Sequence, residues 1–415
     1  MPAVAVGRDL SLAEAEQLAA RGNRDVRAAL RAVDSAGAGV LQADVRPNPV
    51  VSYNASSIGS GSGPGAITDK RIDSNFRIDQ VIERGNTREL RVEAAKGMQR
   101  VAQNDAGEIL RQQLLLTRNA YADLQQAQGK TEILAGMSDL FSRTYAAAQA
   151  RQKAGDLASA DVARVQVDFE RAQNDFRVSQ ADLARAKLVL AYLVADEAAA
   201  PALRASDPWP AAVAPEPADI ERAITQYFET RPDVLAARAR IEATEKLRDL
   251  ARSQRTRDVT VGAQFDHFPG NMPTNTVGFG VSIPLFIGND FSGDIRRAEV
   301  DYYAAQDALD KVRAVAAIEI ARAASDLRAA AERRGRYEGS LLAAAQRSAD
   351  AAEFAFQRGA TSVLEVLDAR RTLRAVQLEA LAARSDFAKA LYAWRANLGP
   401  ANLPAPATGT PAGDK

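Results

Sequence analysis

The sequence predicts a mainly helical protein whose chain consists of two structural repeats, each combining a long coiled-coil hairpin with one pair of β-strands. The first observation is a helical pattern that begins at Gly155 and returns without a gap at Gly359, 204 positions later. The second is a change to two-residue periodicity ahead of each hairpin, which is typical of paired strands. The third is the length of the helical segments, which is several times that of ordinary globular helices.

Two apolar stripes carry the repeat, and in each of them successive residues lie seven positions apart. A seven-residue apolar repeat keeps one side of a helix facing a partner, so the sequence predicts left-handed coiled-coil packing. The second stripe is mostly small, which lets a neighbouring helix approach closely. The first stripe runs through Val162, Phe169, Phe176, Leu183 and Leu190 and maps onto Val366, Leu373, Ala380, Phe387 and Trp394; the second runs through Val165, Ala172, Ser179, Ala186 and Leu193 and maps onto Ala369, Val376, Ala383, Ala390 and Asn397.

The composition excludes several classes of function. Among the 415 residues, 53 basic side chains balance 53 acidic ones, so no nucleic acid partner is predicted. The absence of cysteine excludes disulfides, thiolate metal sites and a lipid-bearing N-terminal cysteine in this chain. One histidine and four methionines are too few for a conventional transition-metal site, so no metal or other cofactor is predicted.

The apolar runs are all short. None approaches the ~18 residues of a membrane-spanning helix. Strands of membrane β-proteins are only ~10 residues long and alternate apolar with polar side chains, so short runs do not exclude them. The start of the chain at Met1 has neither the charged segment nor the apolar core of a signal peptide. We therefore expect either a cytoplasmic protein or a mature chain whose signal has been removed.

The first repeat is predicted to cover residues 9–195, and it opens with two helices. The first helix lies at 9–21, with Ser11 as its expected N-cap and Glu14 as the capping-box partner. The second helix runs from about 23 to 44, since the prolines that follow cannot continue it.

Two strands follow, at about 50–57 and 71–82, separated by a Gly/Ser-rich loop over residues 56–69. The second strand is two-faced, because its apolar and its polar side chains alternate. Charges on one face would also suit a sheet open to water, so they do not by themselves establish a pore. The apolar face of this strand carries Ile72, Phe76, Ile78 and Ile82, and the other face carries Arg71, Asp73, Asn75, Arg77 and Asp79.

A long helical hairpin is predicted over residues 87–194. Its first helix, from about 86 to 152, would measure about 100 Å at 1.5 Å per residue. Gly155 breaks this helix, and the second helix returns from there to about Val194. Charged and polar residues interrupt the first helix too often for a membrane span, so we expect a long antiparallel helical hairpin.

The second repeat is predicted to cover residues 219–398 in the same order. A stretch with five prolines, residues 196–218, is predicted to link the two repeats. Residues 399–415, rich in Pro, Ala, Gly and Thr, are predicted to form a disordered tail. The expected elements are helices at 219–230 and 232–257, strands at about 258–266 and 277–286 with a Pro/Gly loop at 267–276 between them, and an uninterrupted helix at 294–357 that opens a hairpin at 294–398.

The strand at 277–286 has the clearest alternation in the chain. Its apolar residues Val277, Phe279, Val281, Ile283 and Leu285 alternate with glycine, serine and proline. An apolar face backed by almost no side chain suits a strand with lipid on one side and a lumen on the other.

Four strands per chain cannot close a β-barrel by themselves. Outer-membrane barrels begin at about eight strands, so several chains would have to share one barrel. The two-sided apolar stripes of the hairpins lead to the same expectation, since one chain supplies too few partner helices. The sequence thus predicts an oligomer if the strands cross a membrane.

The chain from about residue 9 to 399 resembles the TolC family of outer-membrane efflux channels. The resemblance rests on the twofold repeat, on residues 283–289 (Ile-Pro-Leu-Phe-Ile-Gly-Asn) and on the segment 356–370 around the second hairpin turn. Looser counterparts occur at residues 80–86 and 153–162. The stretch 83–91, Glu-Arg-Gly-Asn-Thr-Arg-Glu-Leu-Arg, is most similar to the heavy-metal (CzcC/CusC-like) branch of the family.

The resemblance implies a homotrimer with a 12-stranded β-barrel in the lipid of the outer membrane and a helical barrel in the periplasm. Such proteins are passive exit ducts of tripartite pumps, and this branch implies heavy-metal cations as substrates. The implied partners are a periplasmic adaptor, also called a membrane fusion protein, and an inner-membrane RND transporter. The turns that would touch the adaptor contain Ala154, Gly155, Leu157, Gly359, Ala360 and Thr361.

The resemblance also implies an acidic gate at the periplasmic end. Glu365 and Asp368 lie three apart on one face of the last helix, and Asp161 matches Glu365 in the first repeat. The family's Tyr and Arg at the tip are replaced here by Phe356 and Thr361, so closure would rest on packing.

Two other classes of function are possible. An enzyme would need converging titratable or metal-binding groups, and the single histidine, His267, lies in a Pro/Gly loop, so no enzyme is predicted. The alternative is a periplasmic adaptor or coiled-coil scaffold without a membrane barrel, which would not need strand pairs at the same place in each half. A passive duct needs only width and a wettable wall, so the transported solute stays open.

Overall fold

The computed structural model describes residues 8–56, 72–155, 157–212, 221, 225, 228–269, 273–358 and 360–398. The predicted tail, the core of the Gly/Ser loop, most of the helix expected at 219–230, and Gly359 lie outside these residues. The chain forms two compact units, each drawn from both halves of the sequence. The helical unit comprises Met1–Arg31, Asn104–Leu235 and Val312–Lys415, and the sheet unit comprises Ala32–Gln103 and Ala236–Lys311.

The chain begins with strand β1 (Arg8–Leu10) and helix α1 (Leu12–Gly22). Ser11 is the N-cap of α1 as predicted, since its Oγ accepts a hydrogen bond from the Glu14 amide at 3.2 Å. The expected capping box is wrong in its second half. The Glu14 carboxylate accepts from Arg8 Nη2 at 3.3 Å, because the strand ahead of the helix brings a guanidinium within reach. Helix α2 (Arg24–Asp44) follows.

The predicted linker is structured where it begins. After the hairpin, a 3₁₀ turn (Glu197–Ala202) leads into strand β4 (Leu203–Ala205), which pairs in parallel with β1. The buried Tyr121 hydroxyl donates to the Leu10 carbonyl at 2.9 Å and accepts from the Ser206 amide at 3.1 Å. Burial raises the pKa of Tyr121 to about 12. The strand forms because this long-range pairing satisfies its backbone, which no local pattern reveals.

The first hairpin has the predicted form. Helix α3 (Thr87–Ala154) is one helix of 68 residues, and α4 (Ser159–Leu193) returns beside it. Each residue of the two predicted stripes, on α4 and on the last helix of the chain, is buried or half-buried. The seven-residue spacing therefore identified the packed sides of both helices.

The second hairpin departs from the prediction of one unbroken helix from 294 to 357. Helix α6 (Ser292–Arg336) passes into a π-helical turn (Tyr337–Leu341) before α7 (Leu342–Gln357), and α8 (Val363–Ala396) returns. The Glu338 carboxylate in this turn accepts from Arg334 of α6 at 3.0 Å and from Arg384 of α8 at 2.6 Å. A π-turn inserts an extra residue in a helix, and here it accompanies a bridge between two helices.

Helix α5 (Pro232–Ser253) starts beside a buried cation of the helical unit. The Arg231 guanidinium is almost fully buried and contacts the carboxylates of Asp233 at 2.8 Å and Glu319 at 2.7 Å. It also donates to Asn397 Oδ1 at 2.7 Å. Burial alone would lower the pKa of Arg231, but the two carboxylates outweigh burial and raise it. This cation therefore links α5, α6 and the end of α8.

The sheet unit contains one antiparallel sheet in the order β2-β3-β5-β6. Three of the predicted strand boundaries are wrong. Strand β5 runs to Phe268 and β6 starts at Thr274, so both ends of the loop expected at 267–276 are strand. Strand β6 ends at Ser282, ahead of Pro284, which has no N–H to donate. The strands are β2 (Val50–Ser56), β3 (Asp73–Ile82), β5 (Val259–Phe268) and β6 (Thr274–Ser282).

Candidate functional site

The four-stranded sheet has two chemically different faces, and the strand register aligns them across all four strands. One row runs Tyr53, Phe76, Phe265, Val277. The neighbouring row on the opposite face runs Ser52, Arg77, Gln264, Gly278. Since side chains alternate along a strand, this register keeps apolar groups together on one face and polar groups on the other.

The apolar face of the sheet is exposed. Phe279, at the centre of the edge strand β6, is 86% accessible, although a phenylalanine in water would normally be covered. Continuous exposed apolar surface of this kind marks contact with another protein or with a membrane. The other large exposed side chains of this face are Val51, Tyr53, Phe76, Ile78, Ile82, Val261, Phe265, Val277 and Val281.

The polar face is organised around Arg77. Its guanidinium donates to both oxygens of Asp79, at 2.7 and 2.8 Å, and to Gln264 Oε1 at 3.1 Å. A side-chain carbon at Gly262 would lie 2.2 Å from Asp79 Oδ1, so a larger residue there would displace the Asp79 carboxylate. Gly280 lies under the same guanidinium. The glycines that suggested an empty face in the sequence therefore make room for side chains from the neighbouring strands.

Asp266 ties together three strands on the polar face. It accepts from Asn75 of β3 at 2.5 Å, from Gln264 of its own strand at 3.1 Å and from Thr276 of β6 at 3.4 Å. His267 lies on the opposite side of β5 from Asp266, near the tip of the β5–β6 pair, and its Nδ1 is 2.8 Å from Asn275 Oδ1. The polar face thus satisfies its hydrogen bonds within the sheet and leaves a wettable surface.

The helices add no membrane-crossing segment of their own: none of those in the described ranges is both long and apolar enough to span a bilayer. In the same part of the chain, no group of three or more His, Asp or Glu side chains is placed to hold a metal ion.

The turn of the first hairpin lies between α3 and α4. Gly155 adopts a positive φ of 87° and donates its N–H to the Gln152 carbonyl at 3.0 Å, as a helix C-cap does. Ala154 is exposed, whereas Leu157 is half-buried against the apolar cluster at this end of the hairpin. The N-cap of α4 is Ala158, which makes no side-chain capping bond.

The turn of the second hairpin lies between α7 and α8. The Ala360 amide donates back to the Ala355 carbonyl at 2.9 Å, which closes the end of α7. Ser362 is the N-cap of α8, with its Oγ accepting from the Glu365 amide at 3.4 Å. Thr361 Oγ1 donates to the Glu365 carboxylate. The Ser362-Val-Leu-Glu365 spacing is a capping-box signal that the sequence analysis missed.

The three predicted gate acids differ in their surroundings. Glu365 and Asp368 are exposed on α8, on either side of the buried Leu367. Glu365 is held by Thr361, whereas in the described part of the chain Asp368 has no hydrogen-bond partner. Asp161 on α4 is half-buried and faces Arg164 Nη1 at 3.5 Å. The second turn therefore carries two carboxylates without a cationic partner in the described residues, while Asp161 in the first has Arg164 beside it.

Two ion pairs between α4 and α8 were not predicted. The Asp168 carboxylate is almost fully buried and pairs with Arg371, and Asp175, seven residues later, pairs with Arg374 at 3.1 Å. The seven-residue spacing of the acids is visible in the sequence, but their partners belong to another helix. These pairs bind the two returning helices together above the turns.

Phe356, the residue at the position of the family's Tyr, lies under the Arg151 guanidinium of α3, 5.4 Å from ring centroid to Cζ. A cation over an aromatic ring is attractive at this distance. The ends of α3 and α7 are therefore in contact through this pair.

Long helical hairpins together with an exposed, two-faced sheet of four strands are the features expected of an outer-membrane efflux channel of the TolC type. Comparison with known proteins agrees with this class. Residues 223–400 match the outer membrane efflux protein family. The cobalt-zinc-cadmium resistance protein CzcC of Cupriavidus metallidurans is 27% identical over 379 residues, which are 88% of this chain and 84% of CzcC.

Solved structures share the fold over nearly the whole chain. A membrane protein from Pseudomonas aeruginosa has a TM-score of 0.77 at 17% identity, covering 95% of both chains. CusC, whose structures describe transmembrane channel formation, has a TM-score of 0.74 at 18% identity, covering 95% of this chain and 93% of its own.

These comparisons support an outer membrane efflux channel of the heavy-metal branch to which CzcC belongs. The resemblance drawn from the sequence is confirmed. Its relatives are transport proteins rather than enzymes, and their family supports an outer-membrane location for this chain.

Proposed function

We propose that the protein is the passive exit duct of a tripartite pump, which passes heavy-metal cations from the periplasm to the exterior. Three copies would contribute their sheets to one barrel of twelve strands, with the helical hairpins in the periplasm. The similarity to CzcC supports cobalt, zinc and cadmium ions as cargo. A periplasmic adaptor and an inner-membrane RND transporter would complete the pump.

The two-faced sheet carries this proposal. Strands β2 and β6 each have one neighbour in the described sheet, so each has an edge that a further strand can join. Closing such edges between copies removes the unpaired backbone groups that lipid cannot satisfy. The exposed apolar face would then contact lipid, and the face with Arg77 and Asp266 would line the water-filled lumen.

The hairpin turns are proposed as the adaptor-docking end, with Ala154, Gly155, Leu157, Gly359, Ala360 and Thr361 at or beside the contact. Bulky substitutions at the exposed Ala154 and Ala360 should weaken cross-linking to the adaptor while the trimer stays intact. Unchanged cross-linking would count against docking there.

A pair of matched substitutions on β6 tests the duct. Lysine in place of Phe279 puts a charge on the proposed lipid face, which costs about 2–4 kcal/mol at the middle of a bilayer. Lysine in place of Thr276, on the opposite face, can pair with Asp266 in the lumen. We expect F279K to abolish membrane assembly and resistance to cobalt, zinc and cadmium, and T276K to retain both.

Native mass measurement of the detergent-extracted parent should give three chains. A monodisperse monomer with an intact sheet, or equal behaviour of F279K and T276K, would contradict the proposal. Extraction without detergent would favour the alternative of a coiled-coil scaffold.

A further inference from the structure

The apolar face of the sheet does not stop where strand β6 ends. Beyond Ser282 the chain continues through Ile283, Leu285 and Ile287, of which Leu285 is 70% and Ile287 88% accessible. Phe286 packs edge-on against Phe291, with ring centroids 4.9 Å apart, which anchors the loop while its aliphatic neighbours stay exposed. The sheet therefore carries an apolar extension at this end.

Three arginines lie at the same end of the sheet. Arg84 follows Ile82 of β3 by two residues, and Arg257 precedes Val259 of β5 by two, while Ile82 and Val259 are register partners on the apolar face. Arg46 adjoins Pro47, whose carbonyl accepts from Gln80 Nε2 of β3 at 2.8 Å. The ends of β2, β3 and β5 thus each present one guanidinium.

The backbone fixes Arg84 and Arg257 beside one another. The Arg84 amide donates to Asp258 Oδ1 at 2.9 Å, next in the chain to Arg257. Gly85, with a φ of 71°, packs so closely on Thr256 that a side-chain carbon there would lie 2.8 Å from Thr256 Cβ. The Arg257 guanidinium lies over the Phe286 ring at 5.4 Å, which joins the arginines to the apolar loop.

The guanidinium groups of this cluster are accessible to an external ligand. Arg46, Arg84 and Arg257 are exposed, and no carboxylate in the described ranges pairs with any of their guanidinium groups. Neighbouring arginines differ, since Arg88 pairs with Asp44 at 2.7 Å and Arg91 with Glu83 at 2.6 Å. Three unpaired cations beside exposed aliphatic side chains are complementary to an anionic headgroup above an acyl chain.

We propose that Arg46, Arg84 and Arg257, with the loop at Leu285 and Ile287, form a binding site for anionic phospholipid at the edge of the membrane. The guanidinium groups take the phosphate and the two aliphatic side chains enter the acyl region. This inference rests on the proposed function, in which the apolar face of the sheet lies in lipid. The bound lipid would belong to the leaflet at the end of the sheet where β3 leads into α3, since the arginines lie at that end.

Lipid titration of the detergent-solubilised full-length trimer, followed by native mass measurement, tests the site. The probes are phosphatidylglycerol, which is anionic, and phosphatidylcholine, which is zwitterionic. We expect R84Q/R257Q to bind phosphatidylglycerol about tenfold more weakly and phosphatidylcholine almost as the parent does, because each arginine near an anionic headgroup contributes attraction. L285S/I287S should weaken the binding of both lipids to the same extent.

The matched control is R171Q/R347Q, which removes the same charge from two exposed arginines of α4 and α7. It should bind both lipids as the parent does. The lipid site is overturned if R84Q/R257Q binds phosphatidylglycerol as the parent does, or if the control loses as much binding. In either case a parent trimer that conducts ions still supports the proposed duct. A parent that binds neither lipid and does not enter bilayers overturns both proposals.

Discussion

Both hairpin turns connect two long helices of a hairpin, but the residues that form them differ in chemistry. The first joins an unbroken α3 to α4, whose N-cap, Ala158, provides no side-chain hydrogen bond. Its Asp161 lies beside Arg164. The second follows a helix with a π-turn and uses Ser362 as a bonded N-cap. It keeps Glu365 and Asp368 exposed as well. The second turn therefore combines a bonded helix cap with two carboxylates that have no cationic partner in the described residues.

The ion pairs between α4 and α8 join the two turns, and breaking one of them should have the largest effect. In R371M the Asp168 carboxylate, 7% accessible, loses its cation and stays buried, which costs about 3 kcal/mol. In D168N the partner Arg371, 47% accessible, can be hydrated, so we expect about 1 kcal/mol. Thermal melting of the purified trimer should rank parent, D168N and R371M in that order of falling stability.

The double variant D168N/R371M supplies the control. It leaves no buried charge behind, so it should be more stable than R371M alone. If R371M melts with the parent, the pair does not hold the hairpins together.

The elements that the sequence predicted well are those whose signal is local and repeated. The stripe through Val162 and Val165 identified the packed side of α4, and the alternation from Val277 to Val281 identified both the strand and its exposed face. Helix N-capping by Ser11 was also local. Such patterns follow from the 3.6- and 2-residue periods of the two structures.

What the sequence did not predict depends on groups far apart in the chain. Strand β4 exists because β1 pairs with it, and Asp168 is satisfied by a residue 203 positions away. The glycines of β6 looked like an empty face, whereas Arg77 of another strand lies over Gly280. No window of sequence contains both members of such contacts, so they require the structure.

Exchanging the two caps sharpens the comparison of the turns. S362A removes the capping oxygen of α8 and should cost about 1 kcal/mol. A158S should add a cap to α4 and stabilise the folded protein by up to about 1 kcal/mol. The reason is that Ala158, with φ −69° and ψ 146°, already has an extended backbone like that of Ser362. Melting temperatures of the two variants should move in opposite directions from the parent. A loss in A158S would show that the first turn does not tolerate a bonded cap.

The π-turn should give the second hairpin a dependence on pH through Glu338. Burial alone would raise the pKa of Glu338, but hydrogen bonds from Arg384 and Arg334 outweigh burial and lower the pKa below the usual 4.5. The folded state thus gains stability from ionised Glu338 above pH 4.5, and this gain is lost as pH falls through the lowered pKa. E338Q should cost about 0.5–1 kcal/mol at pH 7. Its deficit against the parent should shrink below pH 4.5; a deficit that does not change with pH would exclude an ionic role for Glu338.

The exposed acids of the second turn should have the smallest but most specific effect, on ion selectivity. In the proposed trimer, Glu365 and Asp368 form two rings of carboxylates about one axis, and like charges so placed attract cations. Planar-bilayer recordings of E365Q/D368N should show the ratio of cation to anion permeability reduced by about twofold. D161N should leave that ratio unchanged, because Arg164 already compensates Asp161. The Thr361 contact to Glu365 makes Asp368 the freer charge, so D368N alone should account for most of the change. Selectivity equal to the parent in E365Q/D368N would show that both acids serve only to cap and solvate α8.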